Sequence, residues 1–154
     1  MGDKHHKSSW KSRSTSEKKP WGSEIRWNAI GTISGKCLKI SKGYRTSLKY
    51  YPLKDEVLFL YKGKISVTHG DEGTLENPGK FPWKTSVLMP GDILNIQSHC
   101  PYRIEALEDS EVVEIGSREY RVPVRIEDDY GREVDEQAYN LLKQAEIGEK
   151  NGSG

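Results

Sequence analysis

Gly43-Tyr-Arg-Thr-Ser-Leu-Lys-Tyr-Tyr-Pro-Leu-Lys-Asp-Glu-Val-Leu-Phe-Leu-Tyr-Lys-Gly63 reads as two short strands, residues 46–51 and 56–61, parted by Pro52 and closed by a glycine turn. Lys62-Gly63-Lys64 makes a tight hairpin into a further strand. Because successive side chains of a strand point to opposite faces, Ser47, Lys49, Tyr51 and Leu53 share one face. Working outward, the same short runs of Ile, Val, Leu, Tyr and Trp recur at residues 24–28, 36–41, 64–69, 84–88, 93–96, 102–107 and 111–116. Turn residues separate them: Pro90-Gly91-Asp92 has proline at its first corner, and Gly70 to Phe81 forms a longer polar loop. Short strands at regular spacing define an all-β sandwich or barrel.

With 154 residues, of which 34% are hydrophobic, the chain is long enough for one core and too short for two. Lys and Arg number 24 against 23 Asp and Glu, a net charge of +1, so the overall balance calls for neither nucleic acid nor an acidic membrane surface. Cys37 and Cys100 are too few for a disulfide framework and read as reduced thiols of a cytoplasmic protein. No apolar run approaches the roughly 20 residues of a spanning helix. Residues 1–18, rich in Ser and Lys, are expected to be a disordered basic tail ahead of a barrel over residues 19–133. Val134, Ala138, Leu141, Leu142 and Ala145 then recur at helical spacing, which predicts a helix over residues 134–148, with Asp135 and Glu136 in its first turn and Gly148 as its stop. Residues 149–154 are expected to be disordered.

Five stretches carry a resemblance. Pro20-Trp21-Gly22-Ser23-Glu24 resembles the P-W-G-x-E opening of the sugar-phosphate-isomerase-like cupins, and residues 43–63 resemble the first cupin motif. Leu88-Met-Pro-Gly-Asp92 resembles the turn opening the second motif, and Ile96-Gln-Ser-His-Cys-Pro-Tyr-Arg103 its I-P-x-G-T-P-H-R. Arg125-Ile-Glu-Asp-Asp-Tyr-Gly-Arg132 is similar to the closing R-x-x-D-x-Y-G-R. In this order they resemble cupins of the mannose-6-phosphate isomerase type. The resemblance implies a double-stranded β-helix, or jelly-roll barrel, followed by the C-terminal helix; it also implies a homodimer paired through sheet edges.

The same resemblance implies a divalent metal held by two histidines and a glutamate of the first motif and one histidine of the second. Here Tyr51, Leu53 and Tyr102 stand in the histidine slots, Lys49 stands in the slot of a glutamine, and Glu56 alone is retained. An ammonium has no lone pair for a metal, so no metal ligand and no cofactor are expected. A buried Lys49 needs a counter-charge, and Glu56 is the expected partner, with Tyr51 and Tyr102 lining the cavity. Arg45, Arg103, Arg125 and Arg132, with Trp21 and Ser47, are the expected ligand-binding set, because guanidinium forks match phosphate oxygens. A plainer reading pairs Arg125 and Arg132 with Glu127, Asp128 or Asp129. His99 is expected to be an outward-pointing loop residue. The expected ligand is a sugar phosphate or nucleotide sugar, bound by a barrel that lacks the ion. Two alternatives stand beside it: an isomerase or epimerase in which Lys49, Tyr51, Glu56 and Tyr102 supply acid and base or a metal is retained, and a non-catalytic interaction module.

Overall fold

A computed structural model describes residues 6–27, 30–118 and 122–152. Eleven strands precede one helix: β1 (Thr15–Lys19), β2 (Gly22–Arg26), β3 (Ile33–Ile40), β4 (Leu48–Tyr50), β5 (Glu56–Lys62), β6 (Ile65–His69), β7 (Lys84–Leu88), β8 (Ile93–Ile96), β9 (Tyr102–Ala106), β10 (Ser110–Ser117), β11 (Val124–Glu127) and α1 (Glu136–Gly152). They form a six-stranded sheet in the order β1-β2-β3-β10-β5-β8 and a five-stranded sheet in the order β11-β4-β9-β6-β7. Every strand pair is antiparallel, so the chain passes repeatedly between two facing layers.

Alternation fills the space between the sheets. Leu38 and Ile40 of β3, Leu58 and Leu60 of β5 and Val112 of β10 meet Ile65, Val67, Leu88, Tyr102, Ile104 and Ala106 from the other layer, all essentially buried. The β5–β6 hairpin turns at Gly63, whose φ of 94° lies in the left-handed region that glycine adopts at no steric cost. A Cβ there would also stand 2.3 Å from the Ser110 hydroxyl.

The outer face of the five-stranded sheet has its own small core. Ala138 and Leu142 of α1 pack on Leu48 and Ile126, with Tyr50, Trp83 and Val124 at the edge, so the helical stripe seats on the barrel. Asp135 caps the helix by accepting a hydrogen bond from the Ala138 amide at 2.9 Å. Gly148 does not stop it, because the helix runs on to Gly152; an exposed glycine inside a helix costs only about 1 kcal/mol.

Three other expectations change. The tail is shorter than residues 1–18, since Thr15–Lys19 pair with β2 in register. That strand is held by backbone pairing and by charge, with Arg26 2.9 Å from Glu17, neither of which needs apolar residues. The strand expected over residues 46–51 contracts to Leu48–Tyr50, and Leu53 turns out to solvent, 61% exposed, because Pro52 breaks the alternation. Strand β11 joins the sheet beyond the runs listed from sequence. Residues 1–5 of the expected tail, Asn28 of the expected strand and residues 153–154 lie outside the described residues.

Candidate functional site

One end of the barrel is filled with charge. On β10, Glu114 keeps phase with Val112, so its side chain points between the sheets and is 1% exposed. β3 sets Lys36 directly opposite, with Nζ 3.3 Å from a Glu114 oxygen. On β2, Glu24 is also buried, held by Lys36 at 3.2 Å and Arg26 at 3.0 Å. β5 starts at Glu56, beside Gly116 of β10. A Cβ on Gly116 would lie 2.4 Å from the Asp55 carbonyl and 3.0 Å from Glu56 Cβ, so only glycine lets β10 approach the start of β5 this closely.

Lys54 enters just before β5. Its Nζ lies 3.3 Å from Glu56 Oε2 and 3.3 Å from Glu114 Oε1, and 4.5 Å from the centre of the Tyr51 ring. From the facing sheet, Lys49 pairs in register with Tyr102, whose hydroxyl donates to Glu114 Oε1 at 3.2 Å. Lys49 Nζ stands 5.7 Å over the Tyr51 ring. The cluster meets solvent through Lys36, whose side chain is 19% exposed, and through the half-buried Lys49.

Burial and charge set these groups apart from ordinary side chains. Burial, then the neighbouring Glu114 charge, pushes the Glu56 carboxyl up to about 8. Burial works to raise Glu114 as well, but Lys36, the contact with Glu56, Lys54 and Lys49 together hold it well below the carboxylate range. Two carboxyl groups this close cannot both ionise freely, so Glu56 holds the proton and Glu114 the charge. Neither Glu56 oxygen has a hydrogen bond of good geometry, though both are buried. Burial and the Lys36 charge bring Lys49 down to about 8. Burial and Glu114 raise the hydroxyls of Tyr51 and Tyr102, which stay protonated.

The expected site residues fall into two groups. Lys49, Tyr51, Glu56 and Tyr102 do come together inside the barrel, but the expected Lys49–Glu56 pair does not form. Lys54 takes that place, and among the described residues no carboxylate lies within 4.0 Å of Lys49 Nζ. Ser47 is buried near the start of β4. Trp21 is a core residue, 5% exposed; its strand neighbour Gly22 pairs with Ile40, whereas the charged end of β3 is at Lys36.

Three of the four arginines are committed to acids rather than to an open mouth. Arg45 pairs with Asp129, one arm at 2.9 Å. Arg103, only 6% exposed, donates to the Thr46 carbonyl at 2.8 Å and to Glu127 at 2.7 Å. Arg132 forks onto Asp128 at 3.0 and 2.7 Å, as the plainer reading had it. Arg125 differs. It lies beside Lys49 across the β11–β4 pairing, reaches only the Glu133 carbonyl at 3.3 Å, and leaves its Nε buried without a partner. The tied arginines predict stability effects: Arg103→Ala should lower the free energy of unfolding by about 2–3 kcal/mol in urea titration, since charged hydrogen bonds are lost from a buried site.

Sequence reading overlooked Glu24, Lys36, Lys54 and Glu114. The signal was present as phase: Lys36 alternates with Leu38 and Ile40, Lys54 and Glu56 with Leu58 and Leu60, and Glu114 with Val112. His99 is exposed as expected, in a left-handed conformation with φ 67°, its ring against Tyr50.

The cluster bears on the metal that the fold resemblance implies. A divalent ion placed between Glu56 and Glu114 would have to displace the Lys54 ammonium, and the donors beside it are phenols rather than imidazoles. Among the described residues no group of three or more His, Cys, Asp or Glu is arranged to hold a metal. The residues present do not fit that ion.

Solved structures resemble this chain. KdgF from Halomonas sp. matches with a TM-score of 0.55 at 20% identity, over 69% of this chain and 86% of that one. The Lactobacillus farciminis oxalate decarboxylase formate complex matches with a TM-score of 0.60 at 17% identity, over 71% of this chain and 32% of that one. A Bacillus subtilis oxalate decarboxylase variant gives 0.61 at 14% identity, over 73% and 30%. This chain therefore spans about a third of the oxalate decarboxylases it matches. No protein-family model and no curated protein sequence matches. At these identities the likeness concerns the fold, which is the all-β cupin barrel with a C-terminal helix. No helix among the described residues is long and apolar enough to cross a membrane.

Proposed function

We propose that the charged end of the barrel binds an anionic, hydroxyl-rich small molecule, a sugar phosphate or a nucleotide sugar, without a metal ion. One observation carries this reading: once Glu56 holds its proton, Lys36, Lys49 and Lys54 face only two ionised carboxylates, Glu24 and Glu114, in a space shielded from water. Excess positive charge in a low-dielectric site attracts anions strongly. Arg125 adds a guanidinium with no carboxylate partner among the described residues. The glutamates and tyrosine hydroxyls offer hydrogen bonds to sugar hydroxyls. The motif resemblance to mannose-6-phosphate isomerases supports a sugar phosphate in particular. Oxalate decarboxylase, by its name, acts on a small anion, and one of the matched structures holds formate.

The test is a thermal-shift screen of sugar phosphates, nucleotide sugars and small carboxylates. A ligand at about 100 times its Kd adds about 2.7 kcal/mol to the stability of the folded chain, and so raises Tm by several degrees. Lys49→Met is expected to cut that shift by more than half while the ligand-free protein stays folded. If no compound moves Tm, or if the shift is unchanged in Lys49→Met, the proposal is wrong.

A second reading, an isomerase or epimerase, is favoured by Lys49 and Glu56 both titrating at about 8, near the pH where groups transfer protons best in both directions. Uptake of solvent deuterium into a bound sugar decides it. A cytoplasmic homodimer is proposed with the same protein. Tyr61, Ile93 and Ile115 are exposed on the strands of the six-stranded sheet and provide apolar surface for pairing, and light scattering reads the mass directly.

A further inference from the structure

We propose that Lys49 is the nucleophile of the barrel, an amine that forms an imine with an aldehyde or ketone carbonyl of the ligand. Among the described residues three lysines enter the charged end, and their ion pairs set them apart. Lys36 is held by Glu24 at 3.2 Å and by Glu114 at 3.3 Å, and Lys54 by Glu56 and Glu114 at 3.3 Å each. An ammonium held between carboxylates has no lone pair to offer a carbon. Lys49 is the exception, with no carboxylate within 4.0 Å of its Nζ among the described residues. Around it stand the Tyr51 ring at 5.7 Å, Tyr102 opposite it on β9 and Arg125 opposite it on β11. It is half-buried rather than sealed, whereas the Lys54 side chain is 8% exposed.

A lysine in a water-poor site beside another cation is the arrangement that frees a neutral amine at ordinary pH. Burial, then the Lys36 charge, brings Lys49 down to about 8, with Glu114, Glu56 and Glu24 pulling the other way. At pH 7.5 about a quarter of such an amine is uncharged, against about a thousandth of one at the ordinary value. Its lone pair attacks the carbonyl carbon, the C=O electron pair moves to the oxygen, the oxygen takes a proton and the nitrogen gives one up. The carbinolamine then sheds that oxygen as water while the C=N bond forms, so amine and carbonyl become imine and water with no change of oxidation state. Glu56 holds a proton in the same cluster for the departing oxygen. This inference rests on the anion-binding reading only for the choice of a phosphorylated probe.

Reductive trapping tests it. The full chain is incubated at pH 7.5 with glyceraldehyde 3-phosphate and cyanoborohydride, which reduces an imine to a stable amine, and the modified lysines are located by peptide mass spectrometry. Lys49 is expected to acquire the adduct at least about tenfold faster than Lys39, whose side chain is 52% exposed on the outside of the barrel. Lys49→Arg, which keeps the charge and forms no such adduct, should lose the fast phase and leave Lys39 labelling unchanged. The peptide map of the wild type identifies the site even if that variant does not fold. Labelling of Lys49 no faster than that of Lys39, or a fast adduct that survives Lys49→Arg, would overturn the proposal. Glycerol 3-phosphate, with the phosphate and no carbonyl, separates the two readings. If it neither raises Tm nor slows the adduct while Lys49 is still labelled first, the imine stands and the anion site falls. If it raises Tm and Lys49 stays unlabelled, the anion site stands and the imine falls.

Discussion

Glu114→Ala is expected to lower the free energy of unfolding by about 3–5 kcal/mol, the range typical when one partner of a buried ion pair is removed. Glu114 is the hub of the interior: Lys36 at 3.3 Å, Lys54 at 3.3 Å and the Tyr102 hydroxyl at 3.2 Å all converge on it. Without it, Glu56 is relieved of the Glu114 charge and can answer Lys54, but Lys36, Lys49 and Lys54 then face only Glu24 and Glu56, which leaves a buried positive charge uncompensated. The exposed pair Lys39–Glu111, separated by 3.9 Å on the same sheet, is the control. Breaking it should change stability by no more than about 1 kcal/mol. Urea titrations of Glu114→Ala and Glu111→Ala in parallel make the comparison. A Glu114→Ala midpoint close to that of the control would mean that the network contributes far less than its burial implies.

The second large effect is a fall in stability as pH rises from about 4.5 to about 8. The Glu56 carboxyl is raised from its ordinary 4.5 to about 8 by burial and by Glu114. Over that window the folded chain keeps a proton that the unfolded chain has lost, so its contribution is complete below the unfolded value and disappears as pH passes the folded one. Each tenfold change in proton affinity is worth about 1.4 kcal/mol, so the loss amounts to a few kcal/mol. Lys49 acts in the opposite sense and at higher pH. Its folded value of about 8 lies below the ordinary 10.5, so its contribution is lost as pH falls through 8 and is regained on the way to 10.5. The two together predict a stability minimum near pH 8. Glutamine imitates the protonated carboxyl, so Glu56→Gln should flatten the acid side of that minimum and leave the alkaline rise in place. Melting temperatures across pH 5 to 10 for both proteins would show this, and a wild-type profile without the fall would refute it.

On the proposed reading, the raised Glu56 carboxyl makes the cluster a proton reservoir as well as an anion site. In that reading Glu56 donates toward a bound oxygen while Glu114 and Lys54 keep the surrounding charge balanced. Positive excess, an available proton and partial access through Lys36 and Lys49 all depend on the same salt-bridge lattice. Substitutions that unsettle it should therefore affect stability and ligand binding together. Arg103 and Arg132, tied to acids outside the lattice, should affect stability alone.

The strands and the helix were legible in the chain because alternation and helical spacing are local, and each strand reads the same whatever it later pairs with. That is how residues 43–63 announced a barrel and how Lys49, Tyr51, Glu56 and Tyr102 were placed inside it. Local reading failed where pairing or charge decided. The strand at Thr15–Lys19 has no apolar pattern and exists because β2 offers it a partner. Trp21 looked like a ligand contact by motif and proved to be core packing. Sequence left the arginines between a ligand and nearby acids until the fold brought Glu127, Asp128 and Asp129 to three of them. Sequence by itself determined the barrel, since alternation and turn spacing depend on residue type and local order alone. Only the tertiary structure decided that Lys54, and not Lys49, answers Glu56. That choice depends on which side chains from β3, β5 and β10 reach the same few ångströms, and Coulomb energy between buried charges is set by those distances and by nothing in the linear order.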